Sequence, residues 1–157
     1  MGGDVEMLED YNFVKYDHKF MDHLDRHIKG SETVGSTFRG EVQVIDIIDF
    51  AFTKMRHYNG ERMVVEVDLP YVVGLEGVIA LSKLPRGTEI KREKRDKKYE
   101  VNVVHGIRKR ETSHLIIIVG PLKDGRHGFL SIYPGMYCPE LEDREFWEKH
   151  AFIDSKV

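Results

Sequence analysis

The sequence predicts an α+β fold, in which N-terminal helices pack on a twisted, mainly antiparallel β-sheet and a short helix ends the chain. Helical periodicity covers residues 17–58, strand-like runs fill residues 61–135, and a last helical pattern covers residues 140–153. Helices followed by strands, without alternation, indicate α+β and not repeated βαβ units. The 157 residues are about one domain's worth. We therefore expect a single domain, residues 1–157, in which residues 1–16 either pack on the body or form a flexible arm.

The two N-terminal helices are predicted from apolar residues that recur every three or four positions. The first helix covers residues 17–29 and stops before Gly30, a common C-terminal residue of helices. The second covers residues 41–58 and stops before Asn59-Gly60. The recurring residues are Phe20, Leu24 and Ile28 in the first helix, and Ile45, Ile48, Phe52 and Met55 in the second.

A hairpin of two apolar runs organises the β part of the chain. Leu115–Val119 is an unbroken, mostly β-branched run, and Phe129–Tyr133 is a second short run. Turn residues, among them Asp124-Gly125, lie between them, which is typical of an antiparallel hairpin with a longer loop. An unbroken apolar strand is usual where both faces are covered. We expect the first strand to be central and buried on both sides.

The other strands are predicted from short apolar or alternating runs bounded by proline and glycine. Residues 62–69 form one such run, which ends at Pro70, and residues 74–81 form another. Tyr99–Val104 alternates with period two. Thr88–Arg95 is dominated by charge, which favours an edge strand or an exposed arm.

Composition narrows the class of protein. Apolar residues make up 41% and charged residues 32%, as in folded globular chains, and the net charge of −3 means that any polyanion site must be a local patch. No run reaches the roughly 18 apolar residues of a membrane span, and no secretory signal is visible. Cys138 is the single cysteine, so an internal disulfide framework is excluded. We expect a cytoplasmic protein that does not enter a membrane.

Two basic segments are candidates for contact with phosphates. Residues 91–98 hold six cations in eight positions, and Arg108-Lys109-Arg110 is a second basic run. If the strand between them pairs with its neighbour, we expect both segments near one end of the same sheet, forming a phosphate cradle whose affinity falls with salt. The alternative is a solvated edge that prevents aggregation between sheets.

Histidine and hydroxyl side chains supply candidate chemistry. His105 follows a strand directly and precedes a glycine, so its ring should reach the end of a sheet and could act as acid or base. His114 and His127 rank lower. Hydroxyl groups that could orient a phosphate, or protonate a leaving group, come from Thr112, Ser113, Ser131 and Tyr133. Threonine and tyrosine also favour strands for reasons unrelated to function, and His105 could be an ordinary surface histidine.

Other chemistries lack support in the sequence. His23 and His27 lie four residues apart on the first helix, near His18, but no H-E-x-x-H pattern accompanies them and we expect no metal site. There is no Walker loop and no G-x-G-x-x-G, so no nucleotide cofactor is expected. A serine hydrolase lacks its G-x-S-x-G elbow. No motif supports an acyl or nucleotidyl enzyme.

Three segments carry a resemblance to a known family. They are E-I-K-R-E-K-R-D-K, the strand pair T-S-H-L-I-I-I-V-G…G-F-L-S-I-Y-P-G, and the closing F-W-E-K-H-A-F. In this order they resemble the barnase–EndoU–colicin–RelE group of small bacterial and phage-associated ribonucleases and toxin domains. The resemblance covers residues 75–153. It implies a metal-independent ribonuclease whose site includes Arg92 or Arg95, residues 108–112, Ser131 (where the family pattern usually has threonine) and His150. Phe146, Trp147 and Phe152 also permit a structural role for His150 in a helix docked on the core.

The predicted function is therefore metal-independent cleavage of RNA through attack by the 2′-hydroxyl, without a cofactor. The expected partners are RNA, including tRNA, and a cognate acidic inhibitor protein. The alternative is a non-catalytic RNA- or protein-binding accessory protein of a phage or mobile element with the same fold. The predicted catalytic residues are His105, Arg108, Thr112, Ser131, Tyr133 and His150, and the predicted phosphate-binding residues are Arg92, Lys94, Arg95, Lys109 and Arg110.

Overall fold

Three β-sheets form the framework of the protein. The structure is a computed structural model that describes residues 11–28 (side chains only as far as residue 25), 36–38, 43–95 and 97–154. In these residues the first sheet, sheet 1, has four strands. Their order across the sheet is β1 (Phe13–Val14), β10 (His127–Pro134), β9 (His114–Pro121) and β3 (Met63–Asp68). The β9–β10 and β3–β9 pairs are antiparallel, whereas β1 runs parallel to β10.

The other two sheets continue from the first. Sheet 2 has the strand order β5 (Val78–Ala80), β11 (His150–Asp154), β7 (Tyr99–His105) and β6 (Ile90–Arg95). Sheet 3 has the order β2 (Thr37–Phe38), β4 (Gly74–Glu76) and β8 (Arg110–Thr112). Gly77 alone separates β4 from β5, and Ser113 alone separates β8 from β9, so the chain passes directly from sheet 3 into each of the other two.

The predicted fold class is wrong, because the protein is mainly β. Strands hold 41% and helices 19% of the described residues, and the strands form three sheets instead of one. The described helices are α1 (His18–Ile28), α2 (Val44–Phe52) and α3 (Arg144–Glu148), with one 3-10 turn at Leu81–Lys83. The predicted run over residues 74–81 breaks at Gly77, and this break divides the expected single sheet.

Sheet 1 contains the largest part of the core. As the apolar run predicts, β9 lies between β10 and β3, and its residues from Leu115 to Gly120 are all buried. Alternate residues of β9 face α1 and α2, whose apolar residues cover this side of the sheet. The buried residues of this cluster include Phe20, Leu24, Ile48, Ala51, Met55, Tyr58, Leu115, Ile117, Val119, Phe129 and Ile132.

The C-terminal helix predicted over residues 140–153 is wrong in extent. Helix α3 covers only Arg144–Glu148, with the Asp143 carboxylate accepting a hydrogen bond from Phe146 N, and strand β11 follows. Strand β11 lies between β5 and β7, and Ala151–Asp154 are buried. Strand β11 forms backbone hydrogen bonds with β5 on one side and with β7 on the other. A helix at this position would leave the facing edges of β5 and β7 without these partners.

The N-terminal half differs from expectation in smaller ways. Helix α1 agrees closely with the predicted residues 17–29, while Gly30 lies outside the described residues. The second predicted helix, residues 41–58, is shorter, because α2 ends at Phe52 and Met55 and Tyr58 reach the core from turns. Of the expected arm, residues 1–10 lie outside the described part, and β1 pairs with β10. No helix in the described ranges has the length and apolar character needed to cross a membrane.

Candidate nucleic-acid interface

The strongest concentration of exposed positive charge lies on one hairpin at the edge of sheet 2. We call residues 90–105 the cationic hairpin: it consists of β6, a turn and β7. Strand β6 pairs with β7 on one side and is the last strand of the sheet. Its residues from Ile90 to Lys94 are exposed. The exposed cations of the hairpin are Lys91, Arg92, Lys94, Lys97 and Lys98.

Arg92 and Asn102 fasten the cationic hairpin to the rest of sheet 2. Arg92 Nη1 donates to Asn102 Oδ1 at 2.9 Å, and Arg92 Nη2 donates to the Glu100 carbonyl at 3.3 Å. The Asn102 amide is 6% exposed and donates to the carbonyls of Trp147 at 3.3 Å and His150 at 3.2 Å. The hairpin is therefore held at its middle, where two strands and α3 meet.

The arginines of β6 are engaged within the protein, whereas the lysines are not. The Arg95 guanidinium carbon lies 4.4 Å from the centre of the Phe152 ring, a cation–π contact that covers the ring. Arg92 is occupied by Asn102 and Glu100, as described above. No ion pair involving the four exposed lysines of the hairpin is found among the described residues. Their ammonium groups face solvent.

His105 lies at the end of β7 between two carboxylates. Its Nε2 is 3.3 Å from Glu93 Oε2, and its Nδ1 is 3.7 Å from Asp154 Oδ2. Asp154 is 4% exposed, so one of the two carboxylates is buried behind the ring, while Glu93 is half exposed. An imidazole beside a carboxylate can exchange protons with a bound substrate. Sequence reasoning missed both acids, although Glu93 stands out as an acid within a basic strand.

His150 is part of the packing between α3 and β11. Its ring stacks on Phe146 with the ring centres 3.8 Å apart and the planes 5° from parallel, and its Nδ1 donates to the Phe146 carbonyl at 2.8 Å. In the parallel pairing of β11 with β7, Asp154 is opposite His105, whereas His150 is four residues away. At the rise of a strand this is about 13 Å. The structure does not bring the two predicted acid–base histidines together.

The second basic segment lies at the other end of β7 from the turn of the hairpin. The turn at residues 97–98 precedes β7 and Arg108 follows it, so the expected meeting of both basic segments at one end of the sheet does not occur. Only Lys91, near the start of β6, lies towards the Arg108 end. Arg108 is exposed, whereas Lys109 is 8% exposed and belongs to the interior.

Arg110 and Thr112 belong to sheet 3. Arg110 Nη2 lies 3.9 Å from Glu76 Oε2, directly across the β4–β8 pair. The Thr112 hydroxyl accepts a hydrogen bond from the His114 backbone N–H at 3.1 Å. Both side chains thus have partners at the point where β8 passes into β9.

Ser131 and Tyr133 belong to β10 in sheet 1. Ser131 lies at a register shift in the β9–β10 pairing, opposite Ile118, and is half-buried. The Tyr133 hydroxyl accepts a hydrogen bond from the Cys138 backbone N–H at 2.9 Å. Burial raises the pKa of Tyr133 well above its ordinary value. This phenol is therefore a poor proton donor to a substrate at neutral pH.

A surface cavity of about 540 Å³ lies away from the cationic hairpin. None of the predicted site residues lines it. The lining residues come from β1, the start of α1 and the turn between β9 and β10, and they are Val14, Tyr16, Asp17, His18, Lys19, Leu122, Lys123, Asp124 and Arg126.

The described part of the chain has no group of three or more His, Cys, Asp or Glu side chains that could hold a metal ion.

Comparison with known proteins assigns no function, so a function must be argued from this geometry. No family model, no curated protein and no solved structure matches the chain. Of the predicted site residues, sheet 2 holds Arg92, Lys94, Arg95, His105 and His150, sheet 3 holds Arg110 and Thr112, sheet 1 holds Ser131 and Tyr133, and the loop after β7 holds Arg108 and Lys109.

Proposed function

We propose that the protein binds RNA through the phosphate backbone, using the cationic hairpin. The observation that supports this most strongly is the row of exposed lysines on β6 and its turn, none of them paired within the described residues. Lysine and arginine that neutralise phosphates release counterions, and this release supplies most of the affinity in sequence-independent binding. Because the net charge of the whole chain is −3, attraction for a polyanion must come from a local patch such as this hairpin.

The anchoring of the hairpin supports the same conclusion. A charged edge strand that only kept the protein soluble would need no fixed position. Here the Arg92–Asn102 contact and the stacking of Arg95 on Phe152 hold β6 at two points, so the intervening lysine is presented from a rigid strand. Rigid presentation lowers the ordering cost when a ligand binds.

Charge reversal with a matched control tests this proposal. We expect the triple variant Lys91→Glu, Lys94→Glu, Lys97→Glu to bind fluorescently labelled RNA at least about tenfold more weakly than wild type, by anisotropy at low salt. The control reverses three exposed lysines on other elements, Lys19, Lys83 and Lys123, and changes the net charge equally. Equal losses in both triple variants, with circular dichroism unchanged, would refute a local site.

RNA cleavage at the cationic hairpin is the second candidate function, and the position of His105 between Glu93 and Asp154 favours it. Metal-independent cleavage needs a base that takes the 2′-hydroxyl proton and an acid that protonates the leaving 5′-oxygen. Glu93 and His105 are the acid–base pair that lies within this hairpin, and Asp154 would orient the ring. Cations beside them would stabilise the charge of the transition state.

Incubation of RNA with the protein in EDTA tests this second function. We expect His105→Ala to abolish cleavage with RNA binding retained, and Glu93→Gln to reduce it strongly. His150→Ala is the comparison, because His150 packs on Phe146 away from the pair, and cleavage should survive if the variant is folded. If RNA stays intact at a high concentration of wild-type protein, the cleavage function is refuted and the binding function is unaffected.

A further inference from the structure

We infer that the cationic hairpin prefers double-stranded to single-stranded RNA and binds it without reading the base sequence. This inference rests on the proposed function and specifies its ligand. It follows from which side chains the hairpin offers to a nucleic acid and which it does not.

The lysine-bearing part of the hairpin has few of the side chains that hold single strands. Proteins that bind single-stranded nucleic acid stack successive bases on exposed aromatic rings, in addition to contacting phosphates. The large apolar residues that are exposed in the described part of the chain are Tyr16, Ile45, Tyr71, Ile90 and Leu130, and only Ile90 lies on the hairpin. Tyr99 is half-buried, and Arg95 covers the neighbouring Phe152. The other partly exposed ring among the described residues of the hairpin is the His105 imidazole, which lies at the end of β7 between Glu93 and Asp154. The exposed lysines therefore have no exposed aromatic ring beside them on which an unpaired base could stack.

The hairpin also lacks free groups that read base edges. Specific readout relies on bidentate contacts, which the planar guanidinium of arginine makes well and the ammonium of lysine makes poorly. Both arginines of β6 are engaged inside the protein, Arg92 with Asn102 and Arg95 with Phe152. The cations left free are lysines, which act as point charges. Contacts of this kind do not distinguish one sequence from another.

The arrangement of the lysines suits a fixed row of phosphates. Lys91 and Lys94 lie three residues, about 10 Å, apart along the edge strand β6, and Lys97 and Lys98 lie in the turn that follows. The six residues of β6 span about 20 Å, so the charges extend along this edge of the sheet. A duplex presents phosphates in fixed positions and at high density, and double-stranded RNA is recognised mainly through shape, phosphates and 2′-hydroxyls. A single strand must be ordered before it can match the same row, at a cost in conformational entropy.

Competition among matched RNAs tests the inference. The probes are a labelled RNA duplex of about 20 base pairs, each of its strands alone, chosen to lack self-pairing, and a second duplex of unrelated sequence. We expect the duplex to bind at least about fivefold more tightly than either strand, and the two duplexes to agree within about twofold. Equal or tighter binding of a single strand would overturn the inference and leave the proposed function intact. No binding of any probe would refute the proposed function itself.

Two variants at one position sharpen the test. Lys94→Trp adds a stacking ring in the middle of β6, while Lys94→Leu removes the same charge without adding one. If the missing ring is the reason for the duplex preference, the ratio of duplex to single-strand affinity should fall in Lys94→Trp relative to Lys94→Leu. The same ratio in both variants would contradict that reason.

Discussion

Asn102 is the residue on which the position of the cationic hairpin depends. Its buried amide receives a hydrogen bond from Arg92 on β6 and donates to two carbonyls, one at the end of α3 and one at the start of β11. A buried polar group that loses its partner costs more free energy than the hydrogen bond itself contributed. The sequence V-N-V-V gives this residue no special mark, since two of its three partners, Trp147 and His150, are more than 40 positions away.

Replacement of Asn102 should therefore destabilise the protein strongly. We expect Asn102→Ala to lower the free energy of unfolding by about 3 kcal/mol, because two carbonyls and the Arg92 guanidinium lose a buried partner. Urea denaturation measures this, and Lys94→Ala, an exposed substitution on the adjacent strand, should cost less than about 0.5 kcal/mol. Similar small losses in both variants would show that the amide network is not needed.

His114 gives stability a dependence on pH. A hydrogen bond from its Nδ1 to Asp68 at 2.6 Å raises the pKa of the imidazole above its ordinary value, partial burial opposes this, and Glu66 raises it further. A folded pKa above the unfolded one favours the folded state at pH values below about 6.5, and this contribution disappears as the pH rises through the folded pKa. Asp68 and Glu66 are 85% and 57% exposed, so the effect should stay below about 1 kcal/mol.

Unfolding measurements at two pH values test this contribution. We expect the stability difference between wild type and His114→Gln to be larger at about pH 5.5 than at about pH 9. His57→Gln, at an exposed histidine of the turn after α2, serves as the control for the loss of an imidazole. A difference for His114→Gln that is the same at both pH values would contradict the assigned ion pairs.

Strand β6 illustrates how one element can serve two requirements. An unpaired edge strand offers backbone N–H and C=O groups to other chains, and charged side chains are a common protection against such pairing. Protection alone does not explain why Arg92 and Arg95 are fixed, while binding alone does not explain why the charge covers both faces of the strand. Both roles are consistent with the same lysines.

Removal of the charge without reversal should expose the edge. We expect the variant Lys91→Thr, Lys94→Thr, which leaves the Arg92–Asn102 contact in place, to self-associate, with a weight-average mass by sedimentation that rises with concentration more steeply than for wild type. Threonine favours strands, so the element itself should remain. Unchanged sedimentation would mean that other features protect this edge.

Prediction from sequence succeeded for elements whose local pattern is strong. Strand β9 is central and buried as its unbroken apolar run indicated, and the charge of β6 indicated an edge strand. The local sequence of β11 favours a helix, because H-A-F-I-D follows a capped helical turn. Its short apolar run A-F-I does not by itself distinguish a buried strand from a helix. The pairing of β11 with β7 arises from chain segments about 50 residues apart, which a local pattern does not encode.

At the scale of the whole molecule, the junctions between sheets decide the fold. Gly74 lies where β4 of sheet 3 meets the end of β10 from sheet 1. A Cβ at this position would stand 2.7 Å from Pro134 Cγ and closer still to the Thr37 carbonyl oxygen. The candidate site was hard to predict because the sequence indicates one continuous sheet, which would bring the predicted site residues together. In the structure these residues are divided among three sheets and the loop after β7.

A methyl group at Gly74 should separate these elements. We expect Gly74→Ala to lower the free energy of unfolding by about 2–3 kcal/mol through steric conflict with the backbone of β2 and with the Pro134 ring. Gly125→Ala is the matched control, because a Cβ there meets nothing within 4 Å, although its φ of +84° makes the substitution cost about 1 kcal/mol. A smaller loss at Gly74 than at Gly125 would contradict the close approach of the two sheets.

The most direct measurement for the protein as a whole is the salt dependence of its affinity for duplex RNA. If the four exposed lysines of the cationic hairpin contact phosphates, a plot of log K against log salt concentration should have a slope of about −4. The triple variant Lys91→Glu, Lys94→Glu, Lys97→Glu should show a slope closer to zero by about 2 or more. Identical slopes for wild type and variant, or an affinity that salt does not change, would contradict RNA binding by this hairpin.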